Sequence, residues 1–225
     1  MDIREYLAVR RAYALVRQSL PSADRLTFEE YAILAKLAEC GTSLATSYIA
    51  DWQHALRPTM THRANRLEDR KLIIRSVGEN DRRNILCTLS DKGAATLAEL
   101  TALTRASLRT GDVLSRITDE RILKYVLAMG SVFLRAQDLI LVAIRAHGAD
   151  DVSVSELVAS LGLLQPTVSM SVAALEDEGL ATRGDRASRT GQPSIGLTPT
   201  GAAAGDEIAG QIADIIVTRK PRKQA

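Results

Sequence analysis

The chain has 225 residues, a formal net charge of +2, and a composition that is 46% hydrophobic, 25% charged and only 4% aromatic. That length admits two small domains, and the scarcity of aromatics beside abundant Ala and Leu favours helices packed through aliphatic side chains. No apolar run reaches membrane-spanning length and no basic-then-apolar leader precedes a cleavage site, so a cytoplasmic protein is expected. Cys40 and Cys87 form no metal-ligand cluster and are expected to be reduced thiols.

Residues 2–20 read as a helix, because Tyr6, Val9, Tyr13, Val16 and Leu20 recur at steps of three and four. Pro21 ends it. Thr27 and Glu30 have capping-box spacing, and the helix they open buries Tyr31, Leu34 and Leu37 before Gly41 stops it. A short helix follows from about Ala45 to Trp52. Pro58 fits the first turn of the next helix, which runs to about Lys71. The period then shortens. Leu72–Arg75 and Ile85–Leu89 read as two strands around a polar turn, and Ser90 opens a helix to about Leu108.

The same order then returns. Thr118 to about Ala146 reads as helical, bent or broken near Gly130. Val154–Leu161 and Gln165–Glu178 are the next helices, Leu180–Leu197 a glycine-rich two-stranded segment, and Thr198 to about Thr218 the closing helix, with Ile208, Ile212, Ile215 and Ile216. The return has a fixed offset of 108 residues. Pro58-Thr59 recurs as Pro166-Thr167, Leu67-Glu68 as Leu175-Glu176, Leu72 as Leu180, Arg75 as Arg183, Leu89 as Leu197, and Gly93-Ala94 as Gly201-Ala202. This many identities in one register mean duplication. The expected organisation is a first unit over 1–108, a second over 109–218 and a basic C-terminal tail over 219–225. The expected fold is mainly α: two tandem winged helix-turn-helix units, each with a two-stranded β-wing.

Charge separates the copies. Residues 1–108 carry 16 Lys/Arg against 13 Asp/Glu, whereas 109–218 carry 9 against 14. The first copy is electrostatically better equipped for nucleic acid.

The stretch Leu67-Glu68-Asp69-Arg70-Lys71-Leu72, then Asp81-Arg82-Arg83 and Leu89-Ser90-Asp91-Lys92-Gly93, resembles the MarR family of bacterial transcriptional regulators. Pro166-Thr167-Val168-Ser169, Leu175-Glu176-Asp177-Glu178-Gly179-Leu180 and Leu197-Thr198-Pro199-Thr200-Gly201 resemble it again. At the second wing Arg189-Thr190-Gly191 stands in place of Asp81-Arg82-Arg83. The resemblance implies a sequence-specific DNA-binding regulator, a repressor, whose partner is double-stranded DNA. It also implies a small aromatic or anionic effector that lowers affinity. Ordinary members carry one unit per chain and bind as homodimers. Here the fused copies imply an intramolecular pseudo-dimer, with a true homodimer also open.

In a helix-turn-helix the second helix presents its N-terminal residues to base edges in the major groove. In the first copy these are Arg57, Thr59, Thr61, His62, Arg63 and Arg66. Arg bonds a guanine edge twice; Thr bonds a base or phosphate, or touches a thymine methyl. The resemblance implies minor-groove insertion for Arg82 and Arg83 at the wing, with Asp81 as a wing support that holds a neighbouring Arg. Arg75 reads equally as a wing support or a phosphate contact. The second copy offers Gln165, Thr167 and Ser169 on its helix and Arg183, Arg186 and Arg189 in its wing. Its helix has no cation in its first turns. It reads either a weaker half-site or, as the alternative, binds protein or ligand as an interaction module. Two reading units would occupy adjacent major grooves about one helical turn apart.

Other chemistry is not supported. His54, His62 and His147 lack metal-ligand spacing, and neither a phosphate loop nor a nucleophile with a base is present. No enzyme, cofactor or metal is expected. Tyr6, Tyr13, Tyr31 and Trp52 read as core before they read as an effector pocket.

Overall fold

The computed structural model describes residues 1–78, 85–109, 114, 117–148, 152–187 and 193–218. Among them run α1 (Ile3–Ser19), α2 (Phe28–Cys40), β1 (Leu44–Ala45), α3 (Thr46–Trp52), α4 (Arg57–Asp69), β2 (Ile73–Val77), β3 (Ile85–Leu89) and α5 (Asp91–Ala106). Then come α6 (Asp119–Ala128), α7 (Ala136–His147), α8 (Val154–Leu161), α9 (Gln165–Asp177), β4 (Ala181–Ala187), β5 (Pro193–Leu197) and α10 (Pro199–Ala213). The fold is mainly helical with two small antiparallel sheets, as winged helix-turn-helix units require. No single helix among the described residues is long and apolar enough to cross a membrane.

The segment from Thr118 to Ala146 is two helices. A 3₁₀ turn at Met129–Ser131 ends α6, and Val132 is extended before α7 begins. The closing helix stops at Ala213, earlier than Thr218. Ile212 and Ile215 are buried, whereas Ile216 is 81% exposed.

The compact units do not follow the two sequence halves. One unit comprises Leu20–Ala106, Ile117–Phe133 and Val217–Ala225. The other comprises Met1–Ser19, Ser107–Arg116 and Leu134–Ile216. Each repeat has therefore traded its first helix: α6 packs on α2 and α5, and α1 packs on α7, α8 and α10. The apolar seam explains the second case. Tyr6, Val9, Tyr13 and Val16 are all buried, and Arg11 and Gln18 donate to the carbonyls of Ala159 and Gly162 at the end of α8. Gly162 must be glycine. Its φ is +64°, and a Cβ would lie 2.9 Å from the Arg11 carbonyl oxygen.

In the α2–α6 unit, Thr27 and Glu30 form the expected capping box, and Gly41 ends α2 in the left-handed region. The core holds Tyr31, Leu34, Leu37, Ile49, Met60, Leu67, Ile122 and Met129. Tyr31 Oη meets Thr101 Oγ1 at 2.9 Å, both groups buried. The wing pairs Ile73 with Leu89 through Val77 with Ile85, and β1 adds a third strand through Leu44–Cys87 and Ala45–Leu86.

The α7–α10 unit repeats this plan. Ala181 pairs with Leu197, and Val152 bridges Ile195 at the position equivalent to β1. Ile140, Leu157, Val168, Val172, Leu175, Ile195 and Ile212 fill its core. Where each closing helix meets its wing, a glycine lies against a carbonyl. A Cβ on Gly93 would fall 2.0 Å from the Leu72 oxygen, and one on Gly201 1.8 Å from the Leu180 oxygen. The repeated Leu and Gly identities are thus the joints of the wing.

Candidate nucleic-acid interface

Helices α3 and α4 form a helix-turn-helix, and His54 makes the turn possible with φ +47°. Its counterpart 108 residues on is Gly162, which takes φ +64° without side-chain strain. Beyond the turn, α4 seats Met60, Ala64 and Leu67, each 0% exposed, on the core. That anchoring turns Arg57, Pro58, Thr59, Thr61, His62 and Asn65 to the surface. Thr61 Oγ1 donates to the Arg57 carbonyl at 3.0 Å, and Arg57 Nη2 lies 3.0 Å from Asp51 Oδ1. Both partners of that ion pair are well exposed, so it constrains Arg57 weakly.

The other two arginines of α4 face its supports. Arg63 Nη1 donates to Gln53 Oε1 at 2.8 Å, and its guanidinium lies 5.7 Å from the Phe133 ring. Gln53, itself buried, donates through Nε2 to the Glu29 carbonyl. Arg66 Nε stands 3.3 Å from Glu30 Oε1, at ion-pair distance without hydrogen-bond alignment. Glu30 is fully buried, and its other oxygen accepts from the Thr27 amide. Arg66 therefore compensates a buried carboxylate, a role that sequence spacing gave no reason to assign.

Arg75 and Arg183 occupy equivalent places and make equivalent bonds. Arg75 Nη1 is 3.2 Å from Glu68 Oε2, and Arg183 Nε is 3.0 Å from Glu176 Oε2. Each ties the first wing strand to the end of the second helix of its helix-turn-helix, α4 or α9. The repeated Arg and Glu are accounted for by this bridge, which favours the wing-support reading of Arg75.

On α9, Val168, Val172 and Leu175 are buried, while Gln165, Pro166, Thr167, Met170 and Ala173 are exposed and Ser169 is half-buried. The outward surface of its first turns is uncharged, and Met170 is 74% exposed. Arg186 lies in β4, but its side chain is outside the described residues, as are Asp81, Arg82, Arg83 and Arg189. The structure thus brings together Arg57, Thr59, Thr61 and His62 on one surface, and Gln165 and Thr167 on another. Arg63, Arg66 and Arg75 turn toward partners within the protein, and Arg183 pairs with Glu176 while staying exposed.

Sequence reasoning passed over Leu56 and Leu164, the residues on which α4 and α9 begin. They are 76% and 56% exposed, and neither supplies a cap. The signal was available: both stand where Ser, Thr or Asp ordinarily opens a helix. Cys87 in β3 is buried 3.5 Å from Thr46 Oγ1, and burial pushes its thiol pKa up, which suits an inert group. Among the described residues no cluster of His, Cys, Asp or Glu could hold a metal ion.

Two family models match the chain, one in each half. Residues 134–190 match the MarR family, and residues 16–100 match the transcriptional regulators SarA/Rot. Among solved structures, the YusO protein from Bacillus subtilis is 29% identical over 52% of this chain and 78% of its own, with a TM-score of 0.40. BpsR of Bordetella bronchiseptica is 22% identical over 63% of this chain and 93% of its own, with a TM-score of 0.37. Its structure is described as a mechanism for regulation of DNA binding by 6-hydroxynicotinic acid. No match is found among curated proteins.

Proposed function

We propose that the chain is a MarR-like transcription regulator that binds duplex DNA through α4 and α9, a reading supported by the matches of residues 134–190 to the MarR family and of 16–100 to the SarA/Rot regulators. The observation that carries the reading is the outward surface of α4. A helix packed on its core by Met60, Ala64 and Leu67 leaves Arg57, Thr59, Thr61 and His62 exposed at its N-terminal half. This is the half that enters the major groove in helix-turn-helix proteins. Arg57 can swing from Asp51 to a guanine edge or a phosphate, because an exposed pair holds it only weakly. Arg63 and Arg66 hold α4 in place, and Arg75 and Arg183 hold the wings. Arg82, Arg83, Arg186 and Arg189 complete the reading as wing contacts, with Asp81 holding a neighbouring Arg of the first wing.

Both copies in one chain make an intramolecular pseudo-dimer that occupies two half-sites and represses by blocking the promoter. A small aromatic or anionic effector relieves repression only if it binds the DNA-free arrangement more tightly than the bound one. A second reading rests on α9. Its uncharged outward surface, with Met170 exposed, also suits a unit that docks protein or ligand.

The test is paired substitution with binding followed by fluorescence anisotropy on a duplex that the wild-type chain binds. Thr59→Ala with His62→Ala is expected to weaken binding by about 10- to 100-fold, as losing base-edge contacts does. Unchanged affinity would remove α4 as a reader. Gln165→Ala with Thr167→Ala decides between the two readings of α9 in the same way.

A further inference from the structure

Helices α2, α5, α6, α8 and α10 all open on a hydroxyl that accepts from a first-turn amide: Thr27, Ser90, Thr118, Ser153 and Thr198. Helices α3 and α7 open without such a cap, on Ala45 and Arg135, and the two proposed reading helices lack it too, both on the same residue type. Leu56 opens α4 and Leu164 opens α9, 108 residues apart, each in extended backbone that a serine would adopt unstrained. Leucine there forgoes the cap and leaves apolar surface in water, with 76% of Leu56 and 56% of Leu164 exposed. The same choice is made in both copies.

We infer that Leu56 and Leu164 are specificity-determining residues that recognise the 5-methyl group of thymine. The inference deepens the DNA-binding reading and rests on it. At the mouth of a reading helix a side chain meets the floor of the major groove, where thymine alone presents an apolar group. Leucine neither donates nor accepts, so a methyl is the base-edge feature it can favour. The flanking residues make the same case. Leu56-Arg57-Pro58-Thr59 and Leu164-Gln165-Pro166-Thr167 share Leu, Pro and Thr and differ at one position. Arg at that position suits guanine and Gln suits adenine. The two half-sites therefore share a thymine and differ beside it.

The test uses the full chain and the tightest duplex recovered from a random pool. Each thymine is replaced singly by uracil, which removes the methyl and keeps the pairing. At one position in each half-site, uracil is expected to weaken binding about fourfold, the worth of one buried methyl-sized group. Leu56→Ser should abolish that discrimination in one half-site and Leu164→Ser in the other. Both variants, having gained a cap, should melt no lower than the parent. Equal binding of thymine and uracil duplexes overturns the inference, as does discrimination that survives either serine substitution. Failure to recover any duplex is a different result: it overturns the DNA-binding reading, and the inference falls with it.

Discussion

Truncating Val9 to Ala in α1 should loosen the other end of the chain. Val9 is 0% exposed in a helix that packs on α7, α8 and α10. The substitution removes two methyl groups, worth about 1.6 kcal/mol in transfer free energy, and leaves a small cavity. A loss of about 2 kcal/mol is expected, or roughly a thirtyfold rise in opening of the affected unit. Amide hydrogen exchange read by segment is the assay. Protection should fall over residues 136–213, in α7, α8, α9 and α10, and stay unchanged over 28–106. Ile122→Ala in α6 should do the reverse, because Ile122 is buried in a helix packed on α2 and α5. The reasoning is refuted if Val9→Ala exposes α2–α5 first, as it would if each unit were built from its own stretch of sequence.

Four further expectations concern single sites. Lys71 has φ +61° where its counterpart Gly179 has +69°; Lys71→Gly should raise the denaturation midpoint by roughly 0.5 kcal/mol in stability, whereas Gly179→Ala should cost about 1. Gly201→Ala should cost roughly 3 kcal/mol in the same assay, because the new Cβ falls 1.8 Å from a backbone oxygen. Arg66→Ala should destabilise the α2–α6 unit by about 3 kcal/mol in chemical denaturation, because it strips buried Glu30 of its counter-charge; Arg57→Ala should leave that midpoint within about 0.5 kcal/mol. Desolvation pushes the Tyr31 hydroxyl up from 10.0 to about 12, so this group's stabilisation is complete below pH 10 and is lost as pH rises toward 12. Denaturation midpoints across that window should fall by about 2–3 kcal/mol, and Tyr31→Phe should remove that part of the decline.

The winged-helix order was legible because it rests on local signals. Capping-box spacing at Thr27 and Glu30, the change of period at Leu72 and the Pro58/Pro166 repeat each act over a few residues. The exchange of α1 and α6 was not legible. Tyr6, Val9 and Tyr13 announce an apolar face, but an apolar face does not name its partner. The roles of the arginines were half legible. Surface exposure separates Arg57 from Arg63 and Arg66, and that depends on Gln53, Phe133 and Glu30, which lie outside the helix. The shared identities at Arg75/Arg183 and Gly93/Gly201 lie at the wing joints, where each Arg bridges to a Glu and each Gly lies against a Leu carbonyl. Of the residues that would read bases, some are shared between the copies, as Thr59 and Thr167 are, and others differ: Arg57 against Gln165, and His62 against Met170.

The central claim is that one chain carries two DNA-reading units, and selection of bound duplexes from a random pool at near-physiological salt tests it most directly. The account predicts enrichment of two unequal half-sites at one fixed spacing, about one helical turn apart. A folded chain that enriches no sequence would contradict it.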